Sequence, residues 1–124
     1  MRVLTILKMS EQVGEPPEAL YGAMDETIKQ IDASLTLVDT NGLVPSAVAG
    51  TRLVSTGGRT TVLDGPFTES RELIGGYAIV EVDTFAQAVE AARKIIEVHE
   101  RHWPGWEGEA EVRQIMGSDD QPGA

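Results

Sequence analysis

The chain has no cysteine, half as many basic as acidic residues, and no long apolar run. Without cysteine there is neither a disulfide framework nor a thiolate metal site, and nothing marks a secreted scaffold. Ten Lys and Arg against twenty Asp and Glu leave a formal charge of −10, which disfavours nucleic acid and anionic lipid as partners. No stretch approaches the roughly 18 apolar residues of a membrane span. The opening "MRVLTILKMSEQ" has one Arg before a short apolar run and no small-residue cleavage site, so it reads as a strand and not as a signal peptide. A nucleophile elbow, a phosphate-cradling glycine loop, HExxH and a dinucleotide fingerprint are also missing, so the usual hydrolase and nucleotide chemistries lose their support and no organic cofactor is expected. What is there, 124 residues with 41% apolar content, suffices for one core. The expectation is a soluble cytoplasmic protein with one domain over residues 1–116 and a disordered tail, "GSDDQPGA", over 117–124.

Residues Val3 to Met9 carry apolar side chains on both sides, with Val3, Leu7 and Met9 on one and Leu4 and Ile6 on the other, as in a strand buried on both faces. Pro16 and Pro17 start a helix that runs to about Ala33, with Leu20, Met24, Ile28 and Ile31 as its apolar stripe. The segment from Leu35 to Gly50 is rich in breakers and reads mostly as loop. Thr51 to Ser55 and Thr60 to Asp64 are β-branched runs around "TGGR", the pattern of a hairpin. Gly75 and Gly76 introduce a strand over Tyr77 to Val82, and Asp83 or Thr84 can cap a helix with the stripe Phe85, Val89, Ala92, Ile96 and His99. Pro104 and Gly105 stop that helix, and Glu109 to Met116 form the last strand. This order predicts a ferredoxin-like α+β fold, an antiparallel sheet with both helices on one face.

In the later strands Ala78, Val80 and Val82 oppose Tyr77, Ile79 and Glu81, and Ala110, Val112 and Met116 oppose Glu111, Arg113 and Ile115. The small apolar sets suit the helix-covered side. The other side mixes an aromatic, two isoleucines and charges, which suits either a partly wet sheet or a face closed by a second copy. A cavity between two such sheets would have Glu111, Arg113 and Tyr77 as its polar groups.

Asp64 stands where a strand meets the turn Asp64-Gly65-Pro66-Phe67, with Glu69 and Glu72 close behind. Neighbouring carboxylates can raise one another's pKa and supply a general acid or base; alternatively Asp64 accepts backbone amides in an Asx-type turn. His99 continues the apolar stripe of its helix, and His102 lies near the helix C-terminus, where a protonated imidazole is favoured. A metal on this pair would need a third ligand that the sequence does not identify, so no metal is expected. Trp103 and Trp106, around a Pro-Gly turn, are suited to covering a core edge, a dimer seam or a pocket mouth.

"GLVPSA" (Gly42 to Ala47), "DGPFTESRELIGGY" (Asp64 to Tyr77), "VEVD" and "EVRQI" resemble the DGPF branch of the YCII-related family, and "HWPGWEGEAEVRQ" is similar to one of its subgroups. The resemblance implies a ferredoxin-like fold that dimerises into an α/β barrel, and a bacterial protein. Some relatives act on small molecules; others accompany or are fused to extracytoplasmic-function sigma factors. One branch, which includes a dehydrochlorinase, is credited with a His–Asp pair whose His lies on the first helix. Here "PEALYGAMDETIKQI" has no His, so that mechanism does not transfer, and Asp64 belongs to the DGPF motif instead of that pair.

The expectation is a homodimeric, cofactor-independent enzyme carrying out proton transfer (isomerisation, elimination or cyclisation) on a small organic substrate. Asp64 is its acid or base, Glu69 tunes it, and Phe67, Tyr77, Glu111, Arg113, Trp103 and Trp106 line the cavity. The rivals are a non-catalytic dimeric binding or regulatory module, linked to a sigma-factor-type regulator, and a purely structural turn in a protein that works through Trp103 and Trp106.

Overall fold

A computed structural model describes residues 1–10, 14–67 and 73–117. Strand β1 (Arg2–Met9) buries Val3, Thr5 and Leu7 on one side and leaves Leu4, Ile6 and Lys8 half-buried on the other, the two-residue alternation of a strand. Helix α1 (Glu18–Ser34) follows Pro17, which holds an extended backbone at the N-cap, and Glu18 occupies its first turn, where a carboxylate suits the helix dipole. Leu20, Thr27 and Ile31 are buried, with Met24 and Ile28 half-buried beside them.

The next segment is not mostly loop. It forms strand β2 (Thr36–Gly42) and a single helical turn, α2 (Ser46–Ala49). The register of β2 shifts between Leu37 and Asp39, so that Leu37 pairs with Val80 and Thr40 with Ala78. The bulge puts two residues between successive inward side chains in place of one, which removes the period-two signal by which a strand is read.

Strands β3 (Thr51–Thr56) and β4 (Arg59–Asp64) form the expected hairpin. Gly57 and Gly58 turn it with φ of +60° and +78°, the double positive-φ turn that matches strand twist. The hairpin is a separate two-stranded sheet whose residues are almost all exposed.

Strand β5 (Leu73–Glu81) begins four residues earlier than Tyr77, with Gly75 and Gly76 inside it. Helix α3 (Phe85–His102) is capped at Thr84, where Gln87 Oε1 accepts the backbone N–H groups of Asp83 and Thr84 at 2.9 and 3.0 Å, a capping box. Its buried face is Ala88, Ala91, Ala92, Ile95, Val98 and His99, while Val89 is exposed. Alanine contributes little to an apolar stripe read from sequence, yet it lets a helix approach a sheet closely, so the true face lies about one residue from the expected one. Strand β6 (Gly108–Gln114) is the last element among the described residues; residues 118–124 of the expected tail lie outside them.

The sheet order is β2-β5-β1-β6, with every neighbouring pair antiparallel. β1 and β2 therefore run parallel with β5 between them, the split βαβ arrangement of ferredoxin-like folds, and the hairpin is inserted between β2 and β5. Helices α1 and α3 pack on each other and on one sheet face, in a core that includes Val3, Leu7, Ala78, Val80, Ile95, Trp103 and Trp106. Burying each Val, Leu or Ile among them stabilises by about 1.5–3 kcal/mol.

Candidate functional site

Between α1 and the helix side of the sheet lies a half-open cavity of about 540 Å3, within the range of small-molecule sites. Its floor is the inward row of the central strands, Thr5, Leu7, Gly76 and Ala78; α1 contributes Leu20, Met24 and Ile28, and α3 contributes Ile95 and His99, with Trp103 just beyond. Thr5 interrupts the apolar row of β1: it is buried, lines the cavity, and its hydroxyl has no hydrogen-bond partner among the described residues.

His99 is only 5% exposed. Its Nδ1 lies 2.8 Å from the Ile95 carbonyl oxygen. A carbonyl only accepts, so Nδ1 carries the proton and Nε2 is left as an acceptor. Nε2 has no hydrogen-bond partner among the described residues. Burial pushes the imidazole below its ordinary pKa of 6.5, an effect the Ile95 bond partly opposes. The ring neighbours two indoles, with centroids 6.5 Å from Trp103 and 4.9 Å from Trp106. Both indoles are core residues, and the Trp106 Nε1–H is a buried donor without a partner among the described residues. The arrangement presents a neutral base to an apolar cavity.

The structure separates the residues singled out from sequence. Asp64 is not among those lining the cavity; it closes the base of the hairpin, where the Thr51 hydroxyl donates to its Oδ1 at 3.0 Å. The turn after it packs against α2. The Phe67 N–H donates to Ser46 Oγ at 3.1 Å, the Arg52 guanidinium lies 4.1 Å above the Phe67 ring, and a Cβ on Gly65 would come within 1.9 Å of the Ser46 carbonyl oxygen. Only glycine allows that approach. The Gly65–Pro66 bond is cis. Glu69 and Glu72 lie outside the described residues.

Glu111 and Arg113 are on the helix-free face, across the sheet from the cavity. Glu111 accepts from Lys8 Nζ at 2.9 Å and from Arg113 at 3.2 Å, and these hydrogen bonds hold its carboxyl below the ordinary value. Tyr77 borders the cavity from β5. Its ring belongs to the helix-free face, where its hydroxyl donates to Asp39 at 2.6 Å and accepts from Asn41 at 3.3 Å. Of the eight site residues named from sequence, Tyr77 and Trp103 border the cavity. Thr5 was missed, although a polar residue at an inward position between Val3 and Leu7 is a readable signal; His99 was read as a packed core histidine, and its opening onto a cavity depends on where α1 lies.

An antiparallel α+β domain of ferredoxin-like strand order, with a helix-side cavity around a neutral histidine, is the class that the fold and site define. The chain belongs to the YCII-related family, whose domain matches residues 1–116. No curated protein matches the sequence.

Proposed function

We propose that the protein is a small, cofactor-independent enzyme that moves a proton on an organic substrate held in the helix-side cavity, with His99 as the base. The observation carrying this reading is the acceptor Nε2 of a buried, neutral imidazole opening onto a cavity of about 540 Å3. A C–H bond next to a carbonyl gives its proton to Nε2 and its electron pair to the carbonyl, forming an enolate. The imidazolium is stabilised by the Nδ1–H bond to Ile95, and the Thr5 hydroxyl is suited to donate to the oxyanion. Returning the proton at another carbon completes an isomerisation, and expelling an anionic leaving group completes an elimination. The base thus moves from Asp64, whose hydrogen bond supports a structural role in the hairpin.

The sequence Asp64-Gly65-Pro66-Phe67 supports the DGPF branch of the family. We read the protein as a cytoplasmic, bacterial homodimer, and the helix-free face supports the dimer: Leu4, Ile6, Tyr77 and Ile79 form a half-buried central strip flanked by Lys8, Glu111 and Asp39. A two-fold pairing of such faces closes a barrel.

Deuterium uptake from heavy water into a panel of small lactones, unsaturated ketones and halogenated enols, read by NMR, tests the chemistry. The native protein and Asp64→Asn should catalyse uptake, and His99→Gln should lose it by about a hundredfold or more. Undiminished uptake in His99→Gln overturns the assignment. Saturable binding without uptake favours the alternative, a non-catalytic binding module serving a sigma-factor-type regulator.

A further inference from the structure

Every described residue lining the cavity is uncharged: no Asp, Glu, Lys or Arg is among them, in a chain whose formal charge is −10. The polar groups that reach it from its floor and from α3 are the Thr5 hydroxyl and the imidazole of His99. The remainder sets the apolar Leu7, Met9, Leu20, Met24, Ile28 and Ile95 beside the polar but uncharged Ser10, Tyr21, Thr40, Asn41 and Tyr77. Burial keeps the imidazole in its neutral form. A carboxylate or phosphate entering this space would lose its water, meet an acceptor lone pair at Nε2 and find no described cation to pair with, in the field of a strongly acidic protein.

We propose that the cavity selects its ligand by charge and by a single donor, taking an uncharged, mainly apolar molecule that gives one acidic hydrogen to Nε2 of His99 and refusing anionic molecules of the same shape. This rests on the proposed function and adds the substrate class to it. The ligand is a neutral weak acid, such as an enol, a phenol or an activated carbonyl compound, and its apolar body occupies the space between α1 and the sheet. Charge selection also orders the reaction: the proton leaves the ligand only after the ligand is inside.

Three probes with one body separate these requirements: para-butylphenol, para-butylanisole and para-butylbenzoate, which present a donor, no donor and an anion. Binding at neutral pH is followed through the indole N–H signals of Trp103 and Trp106, both of which flank His99. The phenol should bind saturably, the anisole about tenfold more weakly for the loss of one hydrogen bond, and the benzoate without saturation. His99→Phe should bring the phenol to the level of the anisole. Should that variant fail to fold, the comparison among the three probes on the native protein still decides. Benzoate binding as tightly as the phenol, or anisole matching it, overturns the selection rule while leaving the cavity and its proposed chemistry standing. If none of the three shifts the indole signals saturably, the cavity reading itself falls, and this inference with it.

Discussion

At the scale of single residues, the imidazole of His99 and the carboxylate of Glu111 illustrate two opposite settings for a titrating group. His99 is buried and its pKa is depressed, so the unfolded chain binds a proton more readily than the folded one. Its contribution to stability is therefore present above pH 6.5 and is lost as the pH falls from there through the folded value, with a slope of at most about 1.4 kcal/mol per pH unit. Chemical denaturation of the native protein and of His99→Gln across this range should show that slope in the native protein and its absence in the variant. Glu111 is on the surface, in ion pairs with Lys8 and Arg113. Exposed pairs of this kind contribute little, because solvent and salt screen them, so Glu111→Gln should shift the denaturation midpoint hardly at all. A large loss of stability would show that the pair is covered by something in solution.

The elements differ in how far sequence could have disclosed them. Strand β1, α1 and the β3–β4 hairpin follow local rules, a period of two, a period near four, and a double-glycine turn, and all three form close to where those rules put them. Strand β2 hides behind the bulge at Val38, and α3 presents alanines where the period of larger side chains pointed elsewhere. The cavity is still less legible, because Thr5, His99 and Met24 are far apart in the chain and meet only through the packing of α1 over the sheet. The DGPF turn was conspicuous in sequence for a reason that only packing supplies: its glycine lies against the Ser46 carbonyl and its phenylalanine under Arg52. Gly65→Ala should therefore free the hairpin base from α2, with a stability loss of about 1–3 kcal/mol and faster amide exchange at the Gly65 N–H, which now donates to the Gly50 carbonyl at 2.8 Å. Unchanged exchange in that variant would mean that the turn is not what anchors the hairpin.

For the whole molecule, the helix-free face and the cavity lie on opposite sides of the same central strands. If the proposed dimer closes over Leu4, Ile6 and Ile79, Ile6→Lys places an unpaired charge at its centre, and native mass spectrometry should then find a monomer where the native protein gives a dimer. A monomeric native protein would sink the barrel. The arrangement of β1 carries one more consequence. This strand pairs Arg2 with Glu81 on one edge and Val3 with Gln114 on the other, so both its neighbours are made long after it, β6 later still than β5. Contacts spanning such distances form late and slow folding. During synthesis β1 emerges well before β6, so its Val-Leu-Thr-Ile-Leu edge stays open until β6 arrives, and a chain broken off before Gly108 keeps that edge open for good.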